Sequence, residues 1–251
     1  MSTVKILPHP DPQMLDGKTV PGRSMRPRDA ATLIVLRNDG KERRVLMGKR
    51  HEAHAFMPNK FVFPGGRLDT ADCRLTVEHG LHPQVEEKLL LKMRGKPSRS
   101  RARGLGLAAI REAFEETGLI IGQKASRMPR TSDASWKAFF ESGYVPDLSG
   151  LRYFARAITP PGRPRRFDAR FFVIDASHVV NIDNPYAVHT EELLDRYWLT
   201  FDEARQQELP WITREILRML EDALSVTPEL RPDHGVHFQR MQGSNWVFET
   251  L

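Results

Sequence analysis

Between residues 31 and 47 the apolar positions fall into two short runs with turn-forming polar residues between them. Ala31-Thr-Leu-Ile-Val-Leu36 is β-prone, Asn38-Asp-Gly40 supplies a turn, and Arg44-Val-Leu-Met47 resumes the run, which predicts a β-hairpin. Lys60-Phe-Val-Phe63 reads as a third strand. It is halted by Pro64-Gly65-Gly66, whose glycines open backbone conformations that other residues resist. Residues 69–104 form a charged excursion with one helix near Gln84 to Met93. From about Leu107 to Thr117 the apolar period becomes helical, and Gly118 stops it. Farther on, Leu119-Ile-Ile121 is β-prone and Trp136 to Ser142 reads as a short helix. Arg152 to Ile158 and Ala169 to Ile174 read as strands joined by the turn-rich segment 159–164, and Arg196 to Leu199 as another strand. Thr200 caps a helix reaching Ala204, and Ile212 to Leu224 forms a longer one. Strands and helices in irregular alternation predict an α+β fold, a mixed sheet flanked by helices, and exclude a repeat array or a bundle. Residues 1–29, rich in proline and polar side chains, read as an irregular N-terminal arm. Residues 30–251 then make one domain, with an insertion at about 69–104 and helices near the C-terminal end.

Composition narrows the class. With 40% hydrophobic and 28% charged residues the chain is of ordinary globular type. No apolar run approaches the roughly 20 residues that span a bilayer, and the N-terminus has no secretory pattern. The single Cys73 cannot close an internal disulfide, and no Cys/His spacing suits a zinc finger. Together these predict a cytoplasmic protein without a membrane partner. The net charge of +6 attracts anions of every kind, nucleic acid and phosphorylated small molecules alike. Basic residues gather at Arg94, Lys96, Arg99, Arg101 and Arg103, and again at Arg163, Arg165, Arg166 and Arg170. The first group reads as a solvated loop. No aromatic residues are interleaved with it, so RNA is a disfavoured partner.

The segment richest in chemistry is Ala108-Ala-Ile-Arg-Glu-Ala-Phe-Glu-Glu-Thr-Gly118. At about 100° per residue, Glu112, Glu115 and Glu116 share one helix face, and Leu107, Ile110 and Phe114 lie roughly opposite. Like charges at these spacings repel. The face is either a solvated acidic surface on which Arg111 is a local ion-pair partner, or a site that gathers a hard divalent cation such as Mg²⁺.

What surrounds the glutamates decides for the second reading. Arg111, Glu112, Ala113, Glu115, Glu116, Gly118 and Leu119 resemble the second half of the Nudix box, and Phe63-Pro-Gly-Gly-Arg-Leu-Asp69 resembles the strand end and glycine turn that open it. The spacing departs from the family. Gly66 and Arg111 stand forty-five positions apart where the family pattern has fourteen, so thirty-one residues interrupt the box. Arg103 occupies the place that counting back from Arg111 reserves for the first box glutamate. Counting forward from Gly66 gives Asp72, a carboxylate one methylene shorter, as its stand-in. The divided box resembles the coenzyme A diphosphatase-like branch that includes the animal member nineteen. His54-Ala-Phe-Met-Pro-Asn-Lys-Phe-Val-Phe-Pro-Gly-Gly66 and Thr159-Pro-Pro-Gly-Arg-Pro-Arg-Arg-Phe-Asp168 also match that branch, and the resemblance spans roughly residues 31–220.

The resemblance implies a Nudix fold, an α/β/α sandwich with a helical insertion within the box. It implies hydrolysis of a diphosphate bond in a small nucleotide-derived substrate, with coenzyme A or an acyl derivative as first guess. NADH, ADP-ribose, dinucleoside polyphosphates and a nucleotide-binding regulator are the alternatives. Glu112, Glu115, Glu116 and the Gly65 carbonyl become the expected ligands of Mg²⁺ or Mn²⁺, and Arg111 the residue that orients the glutamates. A general base is expected at Glu191 or Glu192, ahead of the strand bearing Trp198. Arg165 and Arg166, with Arg163 and Arg170, are candidates for holding phosphate, since guanidinium matches phosphate oxygens in a bidentate way. The family often pairs subunits, so a homodimer is an expected assembly. All of this requires Gly65–Gly66 to lie beside the glutamates in space.

Overall fold

The computed structural model describes residues 4–7, 25–50, 59–125, 127–186 and 193–251. Chain order begins with strands β1 (Lys5–Leu7), β2 (Arg28–Asp39), β3 (Glu42–Arg50), β4 (Phe61–Val62) and β5 (Gly65–Arg67), followed by helices α1 (Thr70–Arg74), α2 (Pro83–Leu90) and α3 (Arg99–Thr117). Then come β6 (Gly122–Lys124), α4 (Ala134–Glu141), β7 (Tyr144–Pro146), β8 (Arg152–Ile158) and β9 (Phe167–Asp175). The chain continues through β10 (Leu193–Thr200), α5 (Phe201–Arg205), α6 (Trp211–Val226), β11 (His237–Gln242) and β12 (Asn245–Thr250).

The main sheet runs β1-β12-β11-β8-β9-β2-β3-β10, with β4 added to β3 and β5 to β2. It is mixed: β2 runs parallel to β9 and β8 parallel to β11, while the other pairings are antiparallel. Side chains alternate across a strand, and in β2 this divides the apolar residues between two cores. Ala31, Leu33 and Val35 enter the core under α3, whereas Ile34 and Leu36 enter the core under α6. Phe172 and Ile174 of β9 face the first core, and Phe171 and Val173 the second. Helices therefore cover both faces, which makes the α/β/α sandwich and explains why the central strands are continuous apolar runs in sequence.

Two expectations need correction. The basic residues Arg99, Arg101 and Arg103 do not form a solvated loop; they are the first turns of α3, which begins eight residues before Leu107. Ser98 caps that start by accepting the Arg101 N–H, and ion pairs from Arg99 to Glu86 and from Arg101 to Asp29 neutralise the positive charge there. Ala102 and Gly104 are buried, so the turn is held by packing as well. The N-terminal segment contains a strand at Lys5–Leu7, registered on Trp246 to Phe248. On α3, burial extends past the apolar positions Leu107, Ile110 and Ala113 to Arg111 and Glu116. Among the described residues no helix is long and apolar enough to cross a membrane.

Candidate metal centre

Three glycines set the geometry. Gly118 ends α3 in the left-handed region (φ 69°), and its N–H closes on the Phe114 carbonyl. This delivers Glu112, Glu115 and Glu116 on the last turn and a half of the helix. At the other side β5 pairs with the start of β2, placing Gly65 opposite Thr32 and Gly66 opposite Ala31. The Gly65 N–H donates to Glu116 Oε2 at 2.9 Å. A Cβ on Gly66 would stand 2.2 Å from Glu112 Cδ, so only glycine lets that carboxylate lie against the strand. The bend and the acids, far apart in sequence, are in contact.

Arg111 organises the centre. Nε and Nη2 grip the two oxygens of Asp72 at 2.9 and 3.0 Å, and Nη2 also donates to the Arg67 carbonyl at 2.9 Å. Nη1 donates to Glu112 Oε1 at 2.9 Å and to Glu115 Oε2 at 3.2 Å. A guanidinium has five N–H donors, and these five bonds occupy all of them. Burial alone would lower the Arg111 pKa. The Asp72 hydrogen bonds and the charges of Glu112, Asp72 and Glu115 outweigh it and hold the value above that of an ordinary arginine.

Asp72, the acid that counting forward from Gly66 offers for the first box glutamate, is bonded to Arg111. It is fully buried. Its two oxygens accept four hydrogen bonds: two from Arg111, one from the Asp69 N–H at 2.8 Å and one from Trp136 Nε1 at 2.9 Å. With its oxygens so occupied it is an anchor for Arg111 and not a ligand for a cation. Trp136, on α4, reads in sequence only as part of a short helix; nothing in the local sequence couples it to Asp72, sixty-four positions away.

The donor set suits a hard divalent cation. Glu115 Oε1 is buried and accepts no hydrogen bond among the described residues, and a buried carboxylate oxygen without a partner is costly. Glu112 and Glu116 stand beside it, and an all-oxygen environment is what Mg²⁺ and its relatives prefer. Among the described residues, no three His, Cys, Asp or Glu side chains already stand in coordination geometry; Arg111 and the Gly65 N–H occupy oxygens of the same carboxylates.

Other expected site residues are placed differently. Arg170 is spent inside the fold, paired with Asp29 and Asp168 and essentially unexposed, so it does not hold phosphate. Arg166 donates to the Thr159 and Met25 carbonyls, and Arg165 is exposed on the same loop. That loop lies at the start of β2, three strand positions before the Ala31 that faces Gly66, roughly 10 Å along the strand. Glu191 and Glu192 lie outside the described residues. A cavity of about 660 Å³ sits between α6 and the β11–β12 hairpin and contains none of the box glutamates.

No family profile matches the sequence. A Caenorhabditis elegans protein that carries the name nudix hydrolase 7 is 28% identical over 182 residues, 68% of this chain and 51% of its own length. The chain thus spans about half of that relative. The crystal structure of a Nudix hydrolase from Alicyclobacillus acidocaldarius superposes with a TM-score of 0.60 at 25% identity, covering 80% of this chain and 96% of that one. With the glycine bend and the glutamate helix joined across the insertion, the chain has the Nudix fold and is similar in sequence to Nudix hydrolases.

Proposed function

We propose that the protein hydrolyses a diphosphate bond in a nucleoside diphosphate-linked small molecule, using Mg²⁺ or Mn²⁺ held by Glu112, Glu115, Glu116 and the Gly65 carbonyl. The observation that carries the reading is the buried Glu115 Oε1, without a partner among the described residues, next to two further carboxylates at the glycine bend. A divalent cation bound there would offset the charge of the diphosphate oxygens and increase the acidity of an attacking water. The protein's own part is positional. Asp72 fixes Arg111, Arg111 fixes one oxygen each of Glu112 and Glu115, and the Gly65 N–H fixes Glu116. The carboxylates are thereby pre-set, so little reorganisation remains when charge develops on the diphosphate. The general base is assigned to Glu191 or Glu192, on the segment leading into β10.

Coenzyme A and its acyl derivatives are the first substrates to test, because the divided box and its flanking segments resemble that branch. NADH, ADP-ribose and dinucleoside polyphosphates are the alternatives in the same class. RNA binding is less well supported than from sequence alone, since the basic run is partly built into α3 and paired with Glu86 and Asp29. The test incubates each compound with the protein and Mg²⁺ or Mn²⁺ and follows release of its nucleotide half, a nucleoside 5′-monophosphate or, from coenzyme A, the 3′,5′-bisphosphate. Turnover of at least one compound, stopped by chelation, is expected. No product from any of them would overturn the proposal.

A further inference from the structure

We propose that the cleft between Trp198, Arg37 and Arg196 receives the nucleobase of the substrate. The proposal rests on the nucleotide reading above but can be tested by binding alone. The cleft has a volume of about 270 Å³ and is walled by these three residues together with Leu46, Leu119 and Asp183. Its position is set by the fold. Trp198 stands opposite Leu46 and Arg196 opposite Gly48; being two apart on β10, they project to the same side of the sheet. Leu119 is three residues beyond Glu116, and Arg196 donates to the carbonyl of Thr117, the residue after Glu116. One wall of the cleft therefore begins where the glutamate helix ends.

Its chemistry suits a heterocycle. The Arg37 guanidinium lies over the Trp198 ring, 4.5 Å from the centroid. It is steadied by Nε and Nη2 bonds to Asp39 Oδ2 at 3.2 and 2.9 Å. Trp198 is only partly buried, so a flat ring can extend the arginine–indole stack or take the guanidinium's place on it, and every base has a π-face to offer. The arginines supply donors and Asp183 an acceptor for polar groups on the ring edge. The volume argues for one ring system. Sites enclosing a whole drug-sized ligand run to roughly 300–1,000 Å³, so the rest of a nucleotide-linked diphosphate must lie outside, in the direction of Glu116.

The experiment is calorimetric titration with 5′-AMP and with ribose 5-phosphate, the same ligand without its base, both in EDTA so that neither metal nor turnover contributes. Wild type is expected to prefer AMP by about five- to a hundredfold, the range of one base–aromatic stack. In Trp198→Ala that preference should collapse while ribose 5-phosphate binds as before. AMP should quench tryptophan emission in wild type and not in Trp198→Phe, which keeps an aromatic face and most of the affinity. That readout stands by itself if the alanine variant does not fold. Equal affinity of wild type for the two ligands, a preference that persists in Trp198→Ala, or undiminished quenching in Trp198→Phe would overturn the assignment. A protein that binds AMP through Trp198 yet hydrolyses no diphosphate would separate failure of the catalytic proposal from failure of this one.

Discussion

Replacing Asp72 by Asn tests whether the acid at the interrupted end of the box serves as an anchor. The substitution keeps the shape and removes the charge. Asp72 accepts from Arg111 Nε and Trp136 Nε1 through one oxygen, and from Arg111 Nη2 and the Asp69 N–H through the other. An asparagine has a single acceptor oxygen, so whichever way the amide is turned, its NH₂ faces two donors. The buried guanidinium then loses its bidentate partner. Removing one member of a buried ion pair costs roughly 3–5 kcal/mol. Because Glu112 and Glu115 still share the Arg111 charge, the lower end, about 3 kcal/mol, is the expected figure. For a chain of this size about 1 kcal/mol corresponds to roughly 2–4 °C in Tm, so the melting temperature should fall by roughly 6–12 °C in differential scanning calorimetry. Groups that orient metal ligands typically change affinity by roughly 10–100-fold when removed, so the Mn²⁺ concentration needed for half-maximal turnover should rise by about that factor. A variant with the parental melting temperature and parental Mn²⁺ requirement would refute the anchor.

The same geometry makes three further outcomes testable. Gly66→Ala puts a methyl where the Glu112 carboxylate lies; since that carboxylate can swing away, Tm should change little while kcat falls by on the order of a hundredfold, the effect of a misplaced catalytic group. Unchanged turnover would mean that Glu112 need not lie against the strand. Glu115→Gln and Glu116→Gln should each lower kcat by roughly a hundredfold or more, and equal turnover in variant and parent would refute the cation assignment. Chiefly through burial, His234 and His237 titrate below the ordinary imidazole value of 6.5. Below pH 6.5 the unfolded chain therefore binds more protons than the folded one. The stability that depends on these residues is fully present above that pH and is lost on acidification. Tm measured at pH 7.5 and 5.5 should drop, and His234→Phe, which preserves the stack on Phe154, should reduce the drop. An identical pH slope in the variant would exclude His234 as a source.

The parts that were legible in the sequence share a physical reason. β2 and β9 are buried on both faces, so they appear as apolar runs whatever their neighbours. The three glutamates were legible because helical periodicity alone brings them together. What escaped was specified by tertiary contact. β11 and β12 are rich in polar residues, His237, Gln239, Arg240, Gln242, Asn245 and Glu249 among them, and carry no strong alternation. They are strands because they pair with each other and with β8, and because Glu249 is matched by Lys92 and Arg240. The first turns of α3 hid behind arginines whose charges are met by acids 13 and 72 positions away. Asp72 could be placed by counting. Its function could not, because the indole that completes its shell belongs to α4.

The same anchor explains how a box can carry thirty-one extra residues and still close. In the uninterrupted pattern the first acid and the arginine are eight positions apart; here the Asp72–Arg111 pair spans thirty-nine. Loop-closure entropy grows only as the logarithm of length, so lengthening the loop from eight to thirty-nine residues costs about 1.4 kcal/mol. That is less than half of the roughly 3–5 kcal/mol at stake in the buried pair. The inserted segment also contributes packing, since Val85 and Leu89 of α2 are buried in the core under α3, and each fully buried side chain of that kind stabilises by roughly 1.5–3 kcal/mol. Deleting residues 76–97 would therefore shorten the loop and still destabilise the protein, because the apolar surface that α2 covers on α3 would be exposed. A deletion variant at least as stable as the parent would show that the insertion is a passive loop and that closure of the box depends on the anchor alone.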